Sequence, residues 1–233
     1  MVKEGYWFGL PPLVAGLLVL VFRTPVAVVV GCVLIFLGLF VFYFFRNPHR
    51  NIPMEPGVVV SPADGRVVVV KDEENAGRPG KQISIFLAIW NVHVNRSPAA
   101  GTIKRLEYKP GKFLAAWAEK ASLENEQNVF TLASEYGEME FKQIAGWVAR
   151  RVVSWKKTGD TVSRGELVGL VRFGSRVDLW LPEGAEIAVE VGDTVHGGSS
   201  IVARMTAGVM ADTGRGDMAK RAVQKNQDSG SEA

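Results

Sequence analysis

The chain has 233 residues, 47% of them hydrophobic, with a net charge of +3 and a pI near 9.0. That allows one large domain, or a domain behind a membrane anchor, and the basic balance fits an anionic membrane surface. No basic stripe is interleaved with aromatics, which argues against nucleic acid as a partner. A single cysteine, Cys32, supports neither a disulfide framework nor a metal cluster.

Residues 6–22 are apolar but broken by Pro11 and Pro12; Arg23-Thr24-Pro25 ends the run. Residues 26–45 then supply about 20 apolar positions, enough to cross a hydrocarbon core. A signal peptide would need a short apolar core and a small-residue cleavage site, whereas aromatics here run up to Arg46. The pattern predicts a transmembrane helical hairpin, with Pro11-Pro12 disfavouring the opening turns of its first helix. Lys3, Arg46, His49 and Arg50 lie on one side and Arg23 on the other. The positive-inside rule therefore puts both ends, and the domain that follows, in the cytoplasm, with Trp7, Tyr43, Phe44 and Phe45 at the interface. Residues 1–50 are the expected anchor in the cell membrane.

Residues 51–205 read as a soluble, β-rich domain. Strand-like runs occupy 57–61 and 66–70 around the turn Pro62-Ala63-Asp64-Gly65, then 82–90, 129–132, 139–144 and 148–153. Residues 113–124 have helical character. A repeat follows: Gly159-Asp-Thr-Val-Ser-Arg-Gly165 matches Gly192-Asp-Thr-Val-His-Gly-Gly198, each a Gly-Asp turn entering a β-branched pair. Two such units predict a mainly β fold, a largely antiparallel β-sandwich resembling the barrel-sandwich of biotinyl and lipoyl carriers. Those carriers present a lysine at a hairpin tip, and the segment between the repeats has none. Residues 206–233 lack periodicity and are expected to be a disordered tail.

Between the apolar run 168–171 and the alternating run 177–181 lies the bond Gly174–Ser175. Gly174 can take backbone angles closed to other residues, and the Ser175 hydroxyl follows its carbonyl directly. Read alone, the pair is a bend or bulge. Asp64 before a glycine is ordinary turn chemistry, and His93 between two valines is an ordinary structural histidine. His49 and His196 fall at solvated or interfacial positions. The scattered histidines give no metal-ligand spacing, so no metal is expected.

In combination and order, Phe45-Arg-Asn-Pro48, Ser61-Pro-Ala-Asp-Gly65, Asn91-Val-His-Val-Asn-Arg-Ser-Pro98, Asn125-Glu126 and Arg172-Phe-Gly-Ser-Arg-Val-Asp178 resemble the phosphatidylserine decarboxylase family in its short, membrane-anchored form. The resemblance spans about residues 45–204. Longer members typically have Leu-Gly-Ser-Thr where this chain has Phe173-Gly-Ser-Arg176. They also have a second histidine where this chain has Arg96, so His93 must serve alone.

The resemblance implies self-cleavage between Gly174 and Ser175 that turns Ser175 into a covalent pyruvoyl group, with no metal and no pyridoxal phosphate. Asp64 would orient His93, and His93 would take the Ser175 proton. The ketone would then serve as electron sink while a serine headgroup loses CO2, with His93 as the acid that reprotonates the substrate carbon. Phosphatidylserine in the membrane is the implied partner, the two fragments would stay associated, and a homodimer is compatible with this reading. Arg96, Lys112 and Arg176 are candidate phosphate ligands by charge and position. Two alternatives stay open. One is a serine hydrolase using Asp64, His93 and Ser175, although the Gly-x-Ser-x-Gly elbow is missing. The other is a membrane adaptor with a biotinyl-like sandwich and no activity.

Overall fold

A computed structural model describes residues 1–111, 125–146, 151–172 and 174–205. The helical stretch expected at 113–124, the tail 206–233, Lys112 and Phe173 lie outside the described residues.

The first helix, α1, runs Lys3–Leu20, beginning before the expected start and carrying Pro11 and Pro12 in its interior. Each proline leaves a carbonyl one turn back without its helical partner. Arg23 takes a left-handed conformation at the turn, and α2 then runs Pro25–Phe44. Thr24 caps α2 by accepting a hydrogen bond from the Ala27 backbone at 3.2 Å, and Pro25 occupies the first helical position. Helix α2 is long and apolar enough to cross a membrane. The two helices approach closely where glycines face each other: a Cβ on Gly16 would lie 2.8 Å from the Gly31 carbonyl oxygen, and one on Gly38 would lie 2.9 Å from that of Gly9. Cys32 is exposed on α2.

Behind the helices the chain is mainly β and, among the described residues, every strand pair is antiparallel. The strands are β1 (Val58–Val60), β2 (Gly65–Asp72), β3 (Gly80–Leu87), β4 (Val94–Arg96), β5 (Gly101–Lys109), β6 (Gln127–Ser134) and β7 (Gly137–Ala145). They continue as β8 (Val152–Ser154), β9 (Thr161–Val162), β10 (Leu167–Val171), β11 (Ser175–Pro182), β12 (Ala185–Ile187), β13 (Thr194–Val195) and β14 (Ile201–Met205). One eight-stranded sheet has the order β13-β2-β3-β11-β7-β6-β5-β9 and curls into a half-barrel, with the three-stranded sheets β1-β14-β12 and β4-β10-β8 beside it. The sandwich-like, antiparallel expectation is met. Strand β3 stops at Leu87, short of residue 90, because the Asn91 side chain accepts from Ala88 N at 2.8 Å and closes a turn there.

The strand order has internal symmetry. The half formed by β4 to β10 is inserted into the other half, which comprises β1 to β3 and β11 to β14. The Gly-Asp repeats supply β9 and β13, the two outer edges of the large sheet. A second repeat, fainter in the sequence, pairs with them. Ser61-Pro-Ala-Asp-Gly65 and Ser97-Pro-Ala-Ala-Gly101 form the same turn, with Ser61 Oγ donating to Ala63 O at 2.6 Å and Ser97 Oγ to Ala99 O at 2.7 Å. The turns exchange bonds: Val60 N donates to Pro98 O and Arg96 N to Pro62 O, both at 2.9 Å. His93 lies on the first crossing between the halves and Gly174–Ser175 on the second.

A core of buried residues including Val67, Ile83, Ile85, Phe130, Phe141, Val177 and Leu179 fills the half-barrel. A second cluster joins the helical hairpin to the β domain, packing Val2, Phe44 and Phe45 against Val92, Val94 and Leu170. Phe44 and Phe45 are thus buried against the domain, while Trp7 and Tyr43 stay exposed.

Candidate active site

Strand β11 begins at Ser175, in the middle of the large sheet between β3 and β7. Ser175 stands opposite Leu87 on one side and Ala145 on the other. Its alternate residues Val177, Leu179 and Leu181 point into the core, yet Arg176 and Asp178 on the opposite face are buried too. Arg176 donates to Asp178 Oδ1 at 2.6 Å and to Ser84 Oγ at 2.7 Å, so charges that suggested a half-exposed strand are neutralised inside. The Ser175 side chain is fully buried and, among the described residues, its Oγ has no hydrogen-bond partner. Gly174, just before it, has φ +60° with nothing within 4 Å of a Cβ added there, so backbone angle rather than space calls for glycine.

His93 contacts Gly174, the residue before the bond to Ser175. Its Nδ1 is 2.9 Å from the carbonyl oxygen of Asn91, which can only accept, so Nδ1 carries the proton. Nε2 is left with a lone pair and accepts, at 3.4 Å, the Gly174 N–H. Burial lowers the His93 pKa from 6.5 to about 4; the Asn91 carbonyl opposes this and the nearby positive charge of Arg46 adds to it. The imidazole is therefore neutral at physiological pH, with the Nε2 lone pair turned to Gly174. The ring of Phe44, at the end of α2, packs on it.

Asp64 does not reach His93. Its carboxylate takes both oxygens' bonds from Arg50, at 2.9 and 2.7 Å, accepts Gly197 N–H at 2.8 Å, and has His196 Nδ1 at 3.5 Å. Sheet order is the cause. Arg66, Phe86 and Arg176 stand in one row across β2, β3 and β11, so Asp64 lies at the same end as Ser175 but with β3 between. That is a backbone separation of roughly 10 Å. The orienting contact expected from Asp64 is made by the Asn91 carbonyl instead. His196, expected to be merely solvated, lies against Asp64.

The motif Asn125-Glu126 holds the neighbouring strand. Asn125 donates to Ala145 O at 2.7 Å, and Glu126 Oε1 accepts Val152 N–H at 3.2 Å, fixing the end of β7 that faces Ser175. Two candidate phosphate ligands are engaged internally: Arg96 by Asn47 Oδ1 and Gly165 O, Arg176 by Asp178 and Ser84. Among the described residues, no group of three or more His, Cys, Asp or Glu side chains comes together. The sequence alone does not mark Phe44, Arg50 and Asn91 as site residues. Phe44 is one aromatic in an apolar run, and the Arg50 and Asn91 contacts depend on docking and loop geometry.

Comparison with known proteins gives a consistent result. The family model described as Phosphatidylserine decarboxylase matches residues 37–203. The chain is 52% identical over 171 residues to the phosphatidylserine decarboxylase proenzyme of Solibacter usitatus, covering 73% of this chain and 81% of that protein. It is 46% identical over 179 residues to the proenzyme of the same name from Symbiobacterium thermophilum, covering 75% and 83%. Against that of Magnetococcus marinus it is 46% identical over 167 residues, covering 70% and 77%. With the matched span running from the second half of α2 to the last described strand, the chain belongs to the phosphatidylserine decarboxylase family.

Proposed function

We propose that the chain converts phosphatidylserine to phosphatidylethanolamine and CO2 after cutting itself between Gly174 and Ser175 to make a pyruvoyl group from Ser175. The observation that carries this is the pairing of a buried, unpartnered Ser175 Oγ with a left-handed Gly174 whose N–H touches His93 Nε2. The word proenzyme in the relatives' names fits a chain that matures by cutting.

The residues support the following sequence. His93 Nε2 takes the Ser175 hydroxyl proton. The oxygen bonds to the Gly174 carbonyl carbon, the peptide C–N bond breaks, and the residue 175 nitrogen takes that proton, leaving an ester. Loss of the residue 175 α-proton frees the Gly174 carboxylate, and water completes the ketone as ammonia leaves. A base with pKa about 4 is weak, which suits a step made once per chain. When formed, the pyruvoyl group supplies the electron sink for loss of CO2. His93 stays beside it as the group that moves protons, held by Asn91 O and Phe44. Asp64 acts as a positioning residue through Arg50 and the Gly197 turn.

Connectivity favours this reading over a serine hydrolase. The carbonyl next to the buried Ser175 oxygen is that of Gly174, its covalent neighbour, and the Gly-x-Ser-x-Gly elbow is missing. The hairpin fits a lipid substrate that stays in the bilayer. On the charge pattern we take both ends and the domain to face the cytoplasm. Intact-mass measurement tests the proposal: a fragment of residues 175–233, about a quarter of the 25.4 kDa chain, should appear with its first residue converted. It should be absent from Ser175→Ala, and CO2 release without added metal or pyridoxal phosphate should follow splitting. Full activity from an unsplit chain would overturn it.

A further inference from the structure

Arg172 lies three residues before Ser175, so its Cα is within about 11 Å of the Ser175 Cα. Among the described residues its guanidinium makes no hydrogen bond or ion pair. Nε is buried without a partner, and the group lies over the ring of Phe8, 4.8 Å from its centroid. Four other guanidiniums around the site are engaged, namely Arg50 by Asp64, Arg96 by Asn47, Arg176 by Asp178, and Arg46 by the carbonyls of Tyr43 and Trp90. A cation left in this state is poised for an anion from outside the chain.

Arg172 also closes one end of a groove. A space of about 250 Å³ is lined by Phe8, Pro12, Leu37, Val41, Phe45 and Arg172. From Leu37 to Phe45, the residue that caps α2, it follows about 12 Å of chain at the end of the helix long enough to cross the bilayer. The wall is apolar except at the end nearest Ser175, where the charge sits. An anionic phosphate joined to an acyl chain matches that polarity, and in phosphatidylserine the serine amine is only a few bonds from the phosphate.

We infer that this groove between α1 and α2 seats one acyl chain of the phospholipid substrate, and that Arg172 binds its phosphate so that the serine headgroup reaches position 175. The inference rests on the reading of the chain as a phosphatidylserine decarboxylase and adds where the lipid is held. A groove opening at bilayer depth would let the substrate slide in sideways from the membrane.

The test uses the full chain in detergent micelles, with dioleoyl and dihexanoyl phosphatidylserine as substrates. Wild-type splitting and CO2 release serve as the control; their absence would remove the functional reading and not this inference. Arg172→Gln should still split, but its KM for both lipids should rise about 10-fold or more while kcat changes little, and Arg172→Lys should recover part of the loss. Leu37→Trp, which narrows the groove far from the cut, should raise KM for the dioleoyl lipid while leaving the dihexanoyl lipid near wild type. A wild-type KM in split Arg172→Gln overturns the phosphate assignment. If Arg172→Gln fails to split, Leu37→Trp decides: an unchanged ratio of long-chain to short-chain KM overturns the groove assignment.

Discussion

The Phe44 ring lies 4.2 Å from the His93 imidazole, centroid to centroid, with the planes tilted by 31°. The last residue of α2 therefore forms a wall of the candidate active site, and both rings are buried. Phe44→Ala should cost about 3–5 kcal/mol by leaving a cavity, read as a lower denaturant midpoint. It should also admit water beside His93 and move the pH midpoint of splitting up, toward an ordinary histidine. A midpoint unchanged by the substitution would mean that Phe44 does not desolvate the imidazole.

The pH dependence of splitting follows from the same burial. A His93 pKa of about 4 keeps Nε2 unprotonated across the neutral range. The splitting rate of the wild-type chain should be flat from pH 8 to about 5 and fall near 4. The sign for stability is set by the depressed value. Between pH 6.5 and 4 the unfolded chain binds a proton that the folded one refuses. Stability present at neutral pH is lost as pH falls through 6.5 and levels off below 4, by about 3 kcal/mol in full. A splitting midpoint near 6.5 would show that His93 is not the base, or is not buried when it acts.

Asp64→Asn separates a catalytic triad from a structural brace. In a triad, loss of the carboxylate costs on the order of 10⁴-fold in rate. Here Asp64 binds Arg50 and Gly197 and the Asn91 carbonyl sets the tautomer of His93. The substitution should slow splitting by less than about 10-fold, while the broken, mostly buried Arg50 pair costs up to about 3–5 kcal/mol in stability. His93→Ala should slow splitting at least 10²-fold. Time courses of fragment formation, with melting curves alongside, distinguish the two residues.

Gly174→Ala tests the backbone. Nothing crowds a Cβ there, but φ +60° costs a non-glycine residue about 1–2 kcal/mol. The variant should fold with a small loss in melting temperature and split more slowly. Gly16→Val is the contrasting case: with the Gly31 carbonyl oxygen only 2.8 Å from where its Cβ would stand, it should drive the helices apart and weaken membrane-extracted protein far more.

Much of the fold can be read from local chemistry. The Gly-Asp turns of 159–165 and 192–198 do form matching edge strands, because Asp160 and Asp193 each accept a backbone N–H three residues earlier, both at 2.9 Å. The second repeat, Ser97-Pro-Ala-Ala-Gly101, is equally regular in its spacing, but the missing Asp hides its likeness to Ser61-Pro-Ala-Asp-Gly65. His93 does reach the segment expected to be cut, through the Gly174 N–H, while Ser175 Oγ is not hydrogen-bonded to it. The expected link from Asp64 to His93 does not form, since strand order, which no local pattern encodes, inserts β3 between Asp64 and Ser175. Phe44 and Arg50 enter the site only because the hairpin docks on the domain. Within the sequence they look like an interfacial aromatic and an anchoring charge.

The insertion of one half of the domain into the other bears on what the proposed cut does to the molecule. Strand β11 is hydrogen-bonded on both sides, to β3 and to β7, and β14 lies between β1 and β12. The piece beginning at residue 175 is therefore interleaved with the rest, and breaking one peptide bond releases no strand. The precursor folds as one chain, at a rate independent of its concentration. The mature enzyme, once denatured, would be two separate chains that must find each other again, so its recovery should depend on dilution where that of Ser175→Ala does not.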